Sequence, residues 1–134
     1  MAIAGAHTVG GVDGGPGIAV IGWSREHGDL RAPHFVGLHA VQVLALVALG
    51  LRRWRRPEAV RVRATLVAAA SYAALFLLLL WQALDGRSIV APDAAASMVI
   101  WAVATALALG WIALASRETP AGRSRVSGRM LSGR

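Results

Sequence analysis

The sequence predicts an all-α integral membrane protein with three transmembrane helices, preceded by a Gly-rich segment and followed by a basic tail. Three stretches contain no charged residue, namely Ala32–Leu51, Ala64–Leu84 and Ala94–Ser116. Each is about 20 residues long, which lets a helix cross the ~30 Å hydrocarbon core of a bilayer. Only 16% of the 134 residues are charged, against about 25% in soluble domains. A soluble helical bundle would instead need a polar stripe along each helix.

Composition removes several classes of function. The chain has no cysteine, so disulfides, thiolate metal sites and cysteine nucleophiles are excluded. The net charge of +7 comes entirely from arginine and lies mostly in segments that flank the apolar stretches. Nucleic-acid binding would need a soluble basic face or a recognisable fold, and neither is evident. The predicted partners are therefore the lipid bilayer and other transmembrane helices, with no nucleic acid.

The N-terminal segment 1–33 differs from the rest because eight of its residues are glycine. Asp13–Gly17 is a strong turn sequence, and no phosphate-binding fingerprint is present. We interpret this segment as extracytoplasmic, either flexible or folded against the helix ends. Met1–Ala6 has no basic region and is too short for a signal peptide, and it resembles the end of a helix. The sequence is therefore expected to be part of a longer membrane protein.

The predicted transmembrane domain covers residues 34–116, with spans at about 33–51, 64–84 and 94–116. Pro33 suits the first turn of a helix, where a missing N–H costs nothing, and Asp29 could cap that helix. The first span ends where a run of arginines begins.

The arginines also predict the orientation. Successive segments outside the spans contain two, six, one and five arginines. Short Arg-rich loops stay in the cytoplasm, so the alternation places the N-terminus outside and the C-terminus inside the cell membrane (inner or plasma membrane). The tail 117–134 is predicted to be disordered and cytoplasmic.

One segment resembles a group of known sequences. Residues 28–42 read GDLRAPHFVGLHAVQ, and they follow HTVG at 7–10 and DGGPG at 13–17. This arrangement resembles uncharacterised multi-pass membrane proteins of actinobacteria and some proteobacteria over roughly residues 5–115. The resemblance implies a multi-pass membrane fold with further helices before the Gly-rich loop, and it implies no activity.

Polar residues inside the spans are the best candidate site. His39 and Gln42 lie three residues apart and share a helix face. Polar groups in hydrocarbon are costly unless they meet partners, so this face should point at other helices. Gln82 and Trp101 were the expected partners at similar depth. The sequence therefore predicts a polar intramembrane cluster of His39, Gln42, Gln82 and Trp101.

The four histidines all lie within residues 7–39, which leaves cofactor binding as an alternative. His34 and His39 are five residues apart on a helix and cannot clamp one iron from opposite sides. Haem would need one of them together with Met98 or a partner chain. A metal site could use His7, His27 and His34, although their spacing is no compact ligand pattern. No cofactor is predicted, and haem or metal stays an alternative.

Ala102, Ala106 and Gly110 repeat at four-residue intervals, forming a stripe of small residues that allows close helix packing. No span contains a charged residue, which argues against an ion-coupled transporter. No complete catalytic set is present, so no enzymatic activity is predicted. The leading interpretation is a helix-packing or accessory membrane component. The alternatives are a redox or metal-binding membrane protein using His34 and His39, and a small transporter or pore.

Overall fold

The fold comes from a computed structural model that describes residues 7–116. The chain is mostly helical, as the sequence predicts. A two-stranded antiparallel sheet of β1 (Thr8–Val9) and β2 (Gly28–Asp29) precedes four helices. These are α1 (Arg31–Leu38), α2 (Ala40–Arg52), α3 (Glu58–Leu84) and α4 (Pro92–Ala115). The predicted disordered tail 117–134 lies outside the described residues.

Two helices, α3 and α4, are long and apolar enough to cross a membrane. They contain 27 and 24 residues, and their most apolar 18-residue windows have mean hydropathies of 2.0 and 2.1. At about 1.5 Å per residue, each exceeds the ~30 Å core of a bilayer. Only 11% of the α3 window and none of the α4 window is buried within the protein. The apolar surface therefore faces outward, where lipid would cover it.

The first predicted span is not one straight helix. It is divided into α1 and α2, which bend by 45° at His39. His39 Nδ1 lies 2.8 Å from Phe35 O, the same oxygen that accepts the backbone N–H of His39 at 3.2 Å. Side chains that bond to the preceding turn compete with the regular backbone ladder and are a known cause of helix bends. This local contact accounts for the break.

The α1–α2 pair runs antiparallel to α3 along the length of that helix. Tyr72 donates its hydroxyl to Val36 O at 2.6 Å, in the middle of α3. Gly37 packs so closely on Phe76 that a Cβ at position 37 would lie 3.1 Å from the ring. The far end of α2 meets the first turns of α3 around Arg61. Residues 31–52 therefore cover the same distance as α3 does.

The second and third helices begin earlier than the uncharged stretches. The predicted span 64–84 becomes α3 from Glu58, and the predicted span 94–116 becomes α4 from Pro92. Pro57 is extended (φ −51°, ψ 148°) and sets the start of α3. Charged residues can continue a helix beyond the hydrocarbon region, so uncharged stretches define the apolar part of a helix and not its ends.

Candidate functional site

Residues 7–30 form a small folded unit, here called the cap, on the C-terminal end of α3. The two short strands pair Thr8 with Asp29 and Val9 with Gly28. Gly28 lies against the last turn of α3, where a Cβ would come within 2.0 Å of Ala83 O. Only glycine allows this approach of two backbones. Of the two interpretations of the Gly-rich segment, the described part follows the folded one.

Asp29 is the centre of the cap. Its side chain is only 2% exposed. Its carboxylate accepts hydrogen bonds from the Ser24 amide at 2.8 Å and from the Arg31 amide at 3.0 Å. The Arg31 guanidinium donates to the same carboxylate through Nε at 2.9 Å and Nη2 at 2.6 Å. Nη2 also reaches Gly22 O at 2.7 Å. The Asp29–Arg31 pair therefore ties two turns of the cap to the start of α1.

These contacts determine the charge state of Asp29. Burial of the carboxyl acts to raise its pKa, whereas hydrogen bonds from Arg31 and Ser24 stabilise the carboxylate. The hydrogen bonds prevail, and the pKa of Asp29 lies below its ordinary value of 3.8. Asp29 is therefore ionised at neutral pH despite its burial.

Asp13 fixes the other side of the cap. Its carboxylate accepts the amide of Thr8 at 2.9 Å and that of His7 at 3.3 Å, and hydrogen bonding by Thr8 lowers the pKa of Asp13. The cap encloses a cavity of about 260 Å³ between these residues and the Asp29–Arg31 pair. Its lining is Gly-rich and includes Ser24 and Arg31.

The loop between α3 and α4 closes the junction with the cap. Ser88 is 3% exposed and donates its hydroxyl to Ser24 O at 2.8 Å. Arg87 pairs with both Asp85 and Asp93, which raises the pKa of Arg87. The two aspartates thus bind this arginine and bring the ends of α3 and α4 together.

The predicted polar cluster is distributed over several contacts. His39 bonds to Phe35 O, and Gln42 can donate to Leu38 O at 3.0 Å when its amide nitrogen faces the helix break. Trp101 donates Nε1 to Ser71 O at 2.8 Å. Gln82 is 3% exposed, and neither of its amide atoms bonds within residues 7–116. Each of these residues thus has its own surroundings, and the cluster stays a prediction.

The histidines occupy different places. The ring of His27 covers Gly11, His34 is exposed at the start of α1, and the amide of His7 bonds to Asp13. Within the described residues, no group of three His, Cys, Asp or Glu side chains is arranged to hold a metal ion. Met98 lies on α4 and His34 on α1, and each of these helices packs against α3. Metal and haem binding remain untested predictions.

A polar seam between α3 and α4 was not expected from the sequence. The hydroxyl groups of Ser71 and Thr105 bond across the two helices, next to the Trp101–Ser71 contact. Thr105 also donates to Trp101 O at 2.8 Å. Hydroxyl and indole groups stabilise helix pairs in lipid because neither finds water there. Ser71 and Thr105 could have been noticed as the polar residues nearest the centres of their spans, but their facing register is not evident from sequence.

The small-residue stripe lies on a free face of α4. Ala102 and Ala106 are exposed, and a Cβ built on Gly110 would meet no atom within 4 Å. Trp101 and Thr105 define the face that packs on α3. At about 100° per residue, Ala106 lies roughly 140° around the helix from Trp101. Within the described residues, the stripe is thus directed away from α3.

Compared with known protein families, curated proteins and solved structures, the chain matches none.

Proposed function

We propose that the chain is a three-span membrane protein in which the α1–α2 pair forms a bent first span. The support is the antiparallel course of this pair along α3, from the cap to the Arg-rich loop. If α3 crosses the bilayer, a chain segment that follows it from end to end must cross as well. The bend leaves polar backbone groups at membrane depth, which is tolerated where protein covers them. Tyr72 provides such cover by donating to Val36 O.

We further propose that the cap lies outside the cytoplasm. The loop 52–63 has six arginines and one glutamate, whereas the loop 85–91 beside the cap has a single arginine. Arginine-rich short loops remain on the cytoplasmic side during insertion. This charge difference supports a cytoplasmic 52–63 loop and an external cap.

The function that the geometry supports best is helix packing: an accessory or assembly component that binds another transmembrane helix through α4. The observation that carries this proposal is the free face of α4. This helix packs on α3 along one side, and its small residues lie on the other. Small residues allow two backbones to approach closely in lipid, where van der Waals contact drives association.

Replacing Ala106 with leucine tests the proposal. The larger side chain would separate the two backbones, and we expect association to weaken by about tenfold, or about 1.4 kcal/mol. The measurement is the mass of the complex extracted in mild detergent, by light scattering during size-exclusion chromatography. Ala104→Leu is the matched control, because Ala104 is exposed and lies about 160° around the helix from Ala106.

Two results would count against this function. One is a wild-type chain that is a stable monomer in mild detergent and captures no other membrane protein. The other is equal weakening by Ala106→Leu and Ala104→Leu, since a loss that ignores the helix face reflects added bulk and not a packing surface.

A further inference from the structure

The Arg-rich end of the helices contains a cavity that differs from the cap. It has a volume of about 360 Å³ and lies between the end of α2 and the first turns of α3. Its polar lining comes from Arg52, Glu58, Arg61 and Thr65, and its apolar lining includes Leu51 and Leu66. Charged groups thus meet apolar groups within one cavity, at the end of two helices whose remaining surface is apolar.

The arginines here have no acidic partner among the described residues. The ion pairs within residues 7–116 involve Asp13, Asp29, Asp85 or Asp93, and none of them reaches the 52–63 loop. The Nε atom of Arg61 is buried and finds no acceptor in that part of the chain. The hydroxyl of Thr65 donates to Arg61 O at 2.9 Å, so it is already engaged. A buried guanidinium N–H without an acceptor is costly, and an anion in the cavity would satisfy it.

We propose that this cavity binds an anionic phospholipid. The phosphate would accept hydrogen bonds from Arg52 and Arg61, and an acyl chain would lie along Leu51 and Leu66. Basic pockets between transmembrane helices are suited to anionic headgroups. Guanidinium groups bind phosphate oxygens in the planar, paired geometry that a lysine ammonium lacks.

Two features favour a lipid over a free anion. A soluble phosphate would leave the apolar wall of Leu51 and Leu66 uncovered, whereas a lipid covers both parts of the cavity. Glu58 also lines the cavity and would repel a simple anion, but its carboxylate can accept a hydroxyl proton from a glycerol headgroup. The chemistry therefore fits phosphatidylglycerol. The proposal rests on α2 and α3 lying in a membrane.

The test is native mass spectrometry of the full chain in neutral detergent, titrated with phosphatidylglycerol or with phosphatidylcholine of the same acyl chains. We expect one phosphatidylglycerol to bind about tenfold more tightly than phosphatidylcholine. Arg52→Gln combined with Arg61→Gln should remove about nine-tenths of this binding. Arg53→Gln combined with Arg55→Gln removes the same charge from exposed positions of the same loop, and binding should stay within about twofold.

The matched charge distinguishes a site from diffuse attraction. Equal losses in the two double variants would show that the loop attracts anionic lipid only through its net charge, and the proposed site would be wrong. Equal binding of glycerol phosphate and phosphatidylglycerol would overturn the lipid assignment. If the double variant fails to fold, Arg52→Gln against Arg53→Gln makes the same comparison. A chain outside the membrane would retain neither lipid, which is a different failure.

Discussion

Replacing Gly28 with alanine is expected to separate the cap from the helices. The added Cβ would lie 2.0 Å from Ala83 O and 2.9 Å from the carbonyl carbon of the same residue. Both are backbone atoms in the last turn of a helix, so they cannot turn away as a flexible side chain would. Gly28 is also paired with Val9 in the sheet, which prevents the cap from shifting alone. Overpacking of this kind costs about 3 kcal/mol.

Hydrogen–deuterium exchange of the detergent-solubilised chain measures this effect directly. We expect amide protection in the cap to fall by about 100-fold, while protection in the middle of α3 is unchanged. Gly15→Ala is the control, because the nearest atom to its added Cβ is Val12 O at 4.0 Å. Similar exchange in the two variants would mean that the cap does not pack on α3 as described.

Replacing Asp29 with asparagine should open the cap by a different route. The uncharged side chain loses its ionic hydrogen bonds with Arg31 and leaves a donor group facing the Ser24 amide. Hydrogen bonds to charged groups contribute about 1.5–3 kcal/mol. Arg31 is 39% exposed, so solvent screens part of the loss, and we expect about 2 kcal/mol.

The measurement is the exchange rate of the Leu30 amide, which bonds to His7 O at 2.9 Å across the cap. It should rise by about 30-fold in the Asp29→Asn variant. Asp85→Asn is the control, because Asp85 is 43% exposed and its ion pair with Arg87 faces solvent. An unchanged Leu30 amide in Asp29→Asn would contradict the central role of Asp29.

Acid should mimic this substitution. The folded-state pKa of Asp29 lies below its ordinary value of 3.8, so ionised Asp29 stabilises the cap at every pH above that value. The stabilisation is lost as the pH falls from 3.8 through the lower folded-state pKa. Cap exchange in the wild type should therefore accelerate at strongly acidic pH, corrected for intrinsic rates. The Asp29→Asn variant should show less of this acceleration.

Sequence alone predicted the helical character and the apolar parts of the helices, because a stretch without charge reports directly on where a chain can meet lipid. It could not predict that α3 begins at Glu58, since arginines are compatible with a helix that extends into the interface. It also missed the break at His39. A histidine in an apolar stretch was interpreted as a partner for other helices, whereas its nearest acceptor is the carbonyl one turn earlier.

The candidate site was less predictable because its contacts are distant along the chain. Asp29 was expected to cap a helix, and it does accept the Arg31 amide, but its burial depends on turns 5 to 7 residues away. The contact of Gly28 with Ala83 joins positions far apart in sequence. A glycine count indicates turns, but it does not indicate which glycine lies against a helix.

The central claim is that the α1–α2 pair crosses the membrane, and cysteine labelling in intact cells tests it most directly. The chain has no native cysteine, so single cysteines at Gly15, Arg55 and Val90 report only their own positions. With a membrane-impermeant thiol reagent, we expect labelling at positions 15 and 90 from outside, and at position 55 only after permeabilisation. Labelling of positions 15 and 55 from the same side would show that the pair enters and leaves by one face, and would contradict the three-span account.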